Sequence, residues 1–181
     1  MIKSQRGSAT LFFALTVPIF MCALVMAWDI GRLYTAKITA RHSVILATRA
    51  AAAELDLELE DLTNPGELEP VIKEDEALST FKESLDKNLK YHKGRLFAIS
   101  EDDNVEQYIS GFLATNSPGE YQVGSRTIQI SQPAVAAEIQ VPVELSVFGA
   151  LAMDKKDANK VNIKAFAVAA PDIREEIEDN A

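Results

Sequence analysis

The chain has 181 residues, a net charge of −9 and a pI near 4.8, enough length for one hydrophobic core once an apolar N-terminal segment is set aside. The acidic balance argues against nucleic acid as a partner, because backbone phosphates call for clustered Lys and Arg. The single cysteine, Cys22, excludes an intrachain disulfide, and the two histidines, His42 and His92, have no thiol partners with which to build a usual zinc framework.

Lys3 and Arg6 precede the run ATLFFALTVPIFMCALVMAW, from Ala9 to Trp28, which carries no charge over twenty residues. At the helical rise this length matches a hydrocarbon layer of about 30 Å. The basic residues predict a cytoplasmic N-terminus and an extracytoplasmic C-terminal part, a single-pass arrangement in the cell membrane. A competing reading is a secretory signal cut after Val25-Met26-Ala27, just before Trp28. The apolar stretch, however, exceeds the about 7–15 residues of a signal core and runs on without a turn. A buried core helix is the third reading, and it would normally show a polar face. Pro18 removes a backbone donor mid-span, which predicts a kink and, with Phe12, packing against other membrane helices. Trp28, Asp29 and Arg32 mark the expected membrane boundary, with Trp28 at the headgroup level and Asp29 and Arg32 spaced for an exposed pair. Cys22 reads as an ordinary buried residue.

From Asp29 to about Leu57 the chain has no proline and is rich in Ala, Leu, Arg and Lys, so the helix is expected to continue. Its apolar stripe runs through Ile30, Leu33, Tyr34, Ile38, Val44, Ile45, Ala52 and Leu55, interrupted by Arg41 and Thr48. That stripe can pack on the chain's own soluble domain or face neighbouring subunits. Ala47, Ala50, Ala51 and Ala53 permit close helix approach.

Taken in order, Arg6-Gly7-Ser8-Ala9, Phe13-Ala14-Leu15, Pro18 and Asp29-Ile30-Gly31-Arg32, followed by an Ala-rich helix, resemble the TadE/TadG-like pilus-assembly family over about the first 55 residues. The resemblance implies a short basic leader ending at Gly7, cleavage between Gly7 and Ser8, and an apolar helix that drives assembly, as in type IV pilins. The glutamate usual five residues after the leader glycine corresponds here to Phe12. A protein retained in the membrane is therefore as consistent with the resemblance as a filament subunit.

Beyond Leu57, Asn64-Pro65-Gly66 signals a chain reversal. A second helix is predicted over Val71 to Tyr91, with Ala77, Leu78, Phe81, Leu85 and Leu89 on one face and Gly94 as its stop. Ala134 to Val147 alternates strictly: the odd positions from Val135 to Val147 are predicted buried, and Ala136, Glu138, Gln140, Pro142, Glu144 and Ser146 wet. Pro142 cannot donate to a ladder and so predicts an edge strand or a bulge. Tyr121 to Ser131, around the tight Gly124-Ser125 step, reads as a strand or hairpin, and Val161 to Ala169 as the last strand. Val105 to Leu113 fits either helix or strand, and is read as strand.

The acidic groups Asp75-Glu76, Glu101-Asp102-Asp103 and Glu175-Glu176 are candidates for acid/base chemistry or calcium. Of these, Glu101-Asp102-Asp103-Asn104 offers most oxygen ligands, but the spacing and turn glycine of a calcium loop are missing. No phosphate-binding glycine loop and no nucleophile elbow occurs, so catalytic residues, metal and cofactor are all expected to be absent. The expected fold is α+β: a leader over 1–7, a transmembrane helix over 8–28, its extracytoplasmic continuation over 29–60, a soluble domain over 61–172 with a helix on an antiparallel sheet, and an acidic tail over 173–181. The expected partners are the lipid bilayer and other pilus or envelope subunits, including further copies of the chain. The expected role is a structural or assembly subunit. A major filament subunit, or a tethered exported binding domain or enzyme, are the alternatives.

Overall fold

The computed structural model describes residues 3–56, 71–92, 96–100, 102–145 and 160–171, with side-chain surroundings starting at Thr10 and, in the first of these segments, ending at Glu54. The turn at Asn64-Pro65-Gly66, the stop at Gly94, the acidic Glu101 and Glu175-Glu176, Ser146 and Val147, and the 173–181 tail lie outside the described residues.

The fold is α+β, as the sequence patterns require. Helix α1 runs from Lys3 to Ala52, through Pro18, and helix α2 from Glu74 to Tyr91. Two short strands, β1 (Leu55–Asp56) and β2 (Val71–Ile72), pair antiparallel between them. Strands β3 (Ile109–Thr115), β6 (Ala134–Glu144) and β7 (Lys160–Ala169) form an antiparallel sheet in the order β3-β6-β7. Strands β4 (Gly119–Val123) and β5 (Arg126–Ile130) form a separate hairpin.

One face of the sheet is covered by helices, with α1 over β6 and β7 and α2 beside α1 and against β3. On β6, Val135, Ala137, Ile139, Val141 and Val143 point into this core, opposite Ile163, Ala165, Ala167 and Ala169 of β7. From α2 the predicted face arrives as Ala77, Phe81, Leu85 and Leu89, while Leu78 is only half-buried, and Phe81 is tilted against Phe112 at a centroid separation of 5.1 Å. The α1 contribution is made of small side chains, Ala36, Ala40, Ala47 and Ala51, with Val44 among them. Alanine is thus prominent on both α1 and β7, two elements that pack against each other. The side-chain amide of Asn116 takes the place of a strand neighbour, accepting from the Ile72 N–H at 2.7 Å and donating to its carbonyl at 3.0 Å.

Besides the second helix, which starts at Glu74 and not at Val71 because Val71–Ile72 pairs as strand β2, five expectations need correction. First, α1 ends at Ala52, and Leu55–Asp56 is extended, so the helix does not fill 29–60. Second, the buried stripe is only in part the expected one: Val44 and Ala52 are buried and Leu33 and Ile45 pack against the core, but Ile30, Tyr34 and Ile38 are exposed, and Ala36, Ala40, Ala47 and Ala51 are buried. A sheet approached this closely selects small residues over large ones. Thr48, read as an interruption, is buried and donates its hydroxyl to the Val44 carbonyl at 2.9 Å. Third, Val105 to Tyr108 forms a 3-10 turn capped by Asn104, whose side chain accepts from the Glu106 N–H, and only Ile109 onward is strand. Fourth, β6 ends at Glu144 and lies centrally in the sheet, not at an edge. Pro142 is tolerated because β3 has already ended, its last pairing being Ile109 with Ile139. The Pro142 carbonyl accepts from Ala98 on that side, and the nitrogen of an extended residue points the same way as its carbonyl. The missing donor thus faces a place where no ladder partner waits. Fifth, the second face of β6 is only partly wet: Glu144 is exposed and Gln140 and Pro142 are half-buried, but Ala136 and Glu138 are as buried as the core positions. The β4–β5 hairpin covers them, bringing in Val123 and Ile130.

Candidate membrane and docking surfaces

From Thr10 to Trp28 the side chains of α1 point outward on every side and meet almost nothing of the domain. Leu11, Phe12, Phe13, Leu15, Ile19 and Phe20 are each more than 60% exposed, a degree at which water would exact a large hydrophobic cost. By length and composition α1 is able to cross a membrane, and none of its most apolar window is buried by the protein. Thr16 returns its hydroxyl to the Phe12 carbonyl at 2.7 Å, so this polar group is satisfied within the helix. Phe12 and Pro18, the predicted helix-packing positions, lie on this exposed surface, and Phe12 meets Phe13 edge-on at 6.2 Å. Gly7 and Ser8 fall in the first turns of α1, ahead of the residues whose side chains are described.

At the boundary, Trp28 is 74% exposed. Asp29, expected on the surface, is buried instead. Arg32 lines an open groove with Ala27, Trp28, Gly31 and Thr35, closed on the domain side by Leu96, with a volume of about 630 Å³. A side chain added at Gly31 would meet nothing within 4 Å, so the groove owes part of its width to this glycine. Beyond it, Ile30, Tyr34, Ile38 and Leu46 remain exposed along α1.

In the domain the best-organised polar cluster surrounds Glu138. Its carboxylate accepts from the Ser125 N–H at 2.7 Å and from the Ser125 hydroxyl at 2.8 Å, and Lys164 stands 3.7 Å away. Burial pushes the Glu138 pKa up, but the two Ser125 donors and the charges of Lys164 and Arg126 outweigh it and hold the group below its ordinary value. Arg126 also lies over the Phe166 ring at 5.1 Å, adding a cation–π contact between β5 and β7. Gly124 has φ +59°, the positive value needed at the first position of a two-residue type II′ hairpin turn. Gly111, opposite Glu138 on β3, leaves room for that turn, since a Cβ there would sit 2.2 Å from the Gly124 nitrogen. This arrangement fastens the tip of the β4–β5 hairpin to β6 through Ser125 and Glu138.

Of the acidic groups singled out in the sequence, Asp75, Glu76 and Asp103 have structural work. Asp75 and Glu76 lie exposed in the first turn of α2, where the helix dipole favours negative charge. Asp103 accepts from the Tyr108 hydroxyl and the Ser100 N–H, both at 2.6 Å. Its pKa is lowered, chiefly by the Tyr108 bond, and that of Tyr108 is pushed up to about 12 by burial and then by Asp103. Among the described residues no group of three His, Cys, Asp or Glu side chains converges as a metal site would require. His42 is exposed, and His92 sits edge-on between Tyr91 at 5.0 Å and Phe97 at 6.4 Å. Sequence reasoning missed Glu138, which in the pattern is one more polar residue of an alternating strand, and Leu96, which no periodicity marks.

The class defined by these features is a small α+β domain carried on one long apolar helix. No protein-family model matches the chain, and neither a curated protein nor a solved structure matches it.

Proposed function

We propose that this protein is a membrane-anchored structural or assembly subunit, minor-pilin-like, of a Tad/Flp-type or related type IV pilus or secretion machinery. The observation that carries the reading is a single helix with two unlike halves. From Thr10 to Trp28 it is uncharged and largely exposed, and its second half is built into the core of a domain through Ala36, Ala40, Ala47 and Ala51. A helix shared in this way transmits the position of the anchor rigidly to the domain. The order of basic leader, apolar run, Pro18 and Asp29-Ile30-Gly31-Arg32, which resembles the TadE/TadG-like segment, supports the specific assignment. In this reading the N-terminus is cytoplasmic, the domain is extracytoplasmic, and the partners are lipid and other envelope subunits. The chain acts by packing and not by catalysis.

The test is recovery of the protein from its native cell, followed by alkaline carbonate extraction and N-terminal analysis. The expected result is retention in the membrane pellet; a soluble cytoplasmic chain would overturn the reading. A start at Met1 favours a permanently anchored assembly factor. A start at Ser8 favours the second reading, a filament subunit, which the exposed Ile30, Tyr34, Ile38 and Leu46 support as a surface for neighbouring copies. Purified filaments free of this chain would exclude that second role.

A further inference from the structure

We propose that the outward face of the domain half of α1 docks against the acidic start of α2 in a second copy of this chain. The inference rests on the membrane-anchor reading and deepens it by naming the two surfaces that meet. Tyr34, Ile38, Arg41 and Arg49 follow one another at helical intervals and are all exposed, so they lie along one side of α1, away from the buried Ala36, Ala40 and Ala47. Beyond Trp28 this side is both apolar and basic, with Tyr34 as exposed as Ile30. A face of that composition suits a protein surface that is apolar in part and acidic.

Charge selects the occupant. Residues 30–53 hold four of the chain's eighteen Lys and Arg and none of its twenty-seven Asp and Glu, and twenty-six of those acids follow residue 53. Lys37, Arg41 and Arg49 are exposed, and none has an ion-pair partner among the described residues. Two copies meeting α1 to α1 through this face would set cation against cation, whereas the acidic domain of a neighbour offers the opposite sign. There Glu74 and Asp75 are exposed at the start of α2, likewise with no ion-pair partner among the described residues.

Depth brings the two surfaces together. The Glu54 carbonyl accepts from the Lys73 N–H at 3.3 Å, so the end of α1 and the start of α2 stand at one level. From there α2 runs back towards Leu96, which lies beside Trp28 and Arg32 of α1. At the helical rise, Arg49 and Asp75 then differ in height by only about 5 Å, within reach of an arginine side chain. Copies anchored by the same uncharged run stand at equal depth, so a sideways step alone sets Arg49 of one level with Glu74 and Asp75 of the next. The contact uses a different surface on each copy and is therefore heterologous, able to repeat from copy to copy.

The experiment uses the full chain in detergent micelles, which cover the uncharged run, with analytical ultracentrifugation at low and high salt. The wild type is expected to self-associate beyond pairs at low salt and to come apart as salt rises, because exposed charges are screened. Arg41→Glu with Arg49→Glu, and separately Glu74→Lys with Asp75→Lys, are each expected to weaken self-association about tenfold, attraction having become repulsion. An equimolar mixture of the two double variants is expected to regain it, since every contact between unlike variants again joins opposite charges. Loss of helical circular dichroism in either double variant moves the test to Arg49→Gln and Asp75→Asn, each expected to weaken association about threefold. A wild type that is monomeric at low salt overturns the contact and leaves the anchor standing. Wild-type association in the folded Glu74→Lys, Asp75→Lys chain, or a mixture that stays monomeric, overturns it equally. A chain that stays in solution without detergent overturns the anchor reading, and the equal depth of the copies falls with it.

Discussion

The amide and hydroxyl of Ser125 both donate to the carboxylate of Glu138, thirteen residues further along the chain, and this pair ties the tip of the β4–β5 hairpin to the central strand of the sheet. Glu138 is 1% exposed, so the carboxylate exists there only because donors and nearby positive charge compensate its lost hydration. Glu138→Ala leaves the Ser125 amide unpaired over a cavity and is expected to cost about 2–4 kcal/mol. Hydrogen exchange in the hairpin should rise before exchange in β6. Because the folded pKa is depressed, this stabilisation is complete above the unfolded value of about 4.3 and is lost as pH falls through the folded value. Hairpin protection in the wild-type chain should accordingly persist at neutral pH and fade in acid, whereas in Glu138→Gln it should be weaker throughout and lose most of that pH dependence.

Tyr108 has the opposite pH dependence. Burial and the Asp103 hydrogen bond favour the neutral phenol and raise its pKa to about 12. A raised pKa contributes stability that is fully present below the unfolded value of about 10 and disappears as pH climbs through 12. Ultraviolet titration of phenolate absorbance should contain one late-titrating tyrosine, absent in Tyr108→Phe. If the titration curve of Tyr108→Phe kept that late component, the Asp103 bond would not be its source.

Much of the fold was legible because two periodicities dominate it. The face of α2 formed by Ala77, Phe81, Leu85 and Leu89, and the inward set Val135 to Val143, are recoverable from spacing alone, since burying them needs only a helix and a strand placed face to face. The apolar anchor is equally plain. What pattern reading loses is who covers the other side. Ala136 and Glu138 sit in a polar register, and only the return of the hairpin over Gly111 makes them interior. On α1, the large residues Ile30, Tyr34 and Ile38 read as the buried stripe because hydrophobicity grows with size. The buried positions of α1 are instead mostly alanines, with Val44 among them.

That loss points to the two glycines. Gly111→Ala would bring a Cβ to within 2.2 Å of the Gly124 nitrogen, a backbone atom that cannot rotate aside. Gly124→Ala adds the strain of φ +59° and a collision with Glu138. Each is expected to destabilise the full chain by about 1–3 kcal/mol, the usual effect of overpacking, and to lower protection of the hairpin first. Unchanged hairpin exchange in Gly111→Ala would mean that the turn does not rest on β3.

The alanine contact gives a paired test on a single helix. Ala40 is fully buried in the core that α1 shares with the sheet and α2, whereas Ile30 is 68% exposed. Ala40→Leu should cost about 1–3 kcal/mol by forcing α1 away from β7. Ile30→Ala should change the stability of the isolated chain by no more than about 0.5 kcal/mol, although Ile30 is much the larger residue. Thermal unfolding of both variants in the same detergent decides it. A reversal of the two effects would put the sheet on the opposite face of α1.

The apolar half of α1 makes the sharpest claim on the environment. Leu15 lies near the middle of the uncharged run and is 61% exposed, so no domain contact depends on it. Leu15→Arg therefore leaves the folded domain untouched, while placing a charge at the centre of a bilayer costs about 2.5–3.5 kcal/mol on insertion scales. Leu46, also exposed but on the domain half of the helix, provides the control, since Leu46→Arg stays in water if the anchor ends near Trp28. In a membrane-insertion assay Leu15→Arg should shift the chain toward the uninserted form and Leu46→Arg should not. Equal insertion of Leu15→Arg and the wild type would remove the hydrocarbon from around Leu15, and with it the reason for an apolar surface exposed on every side.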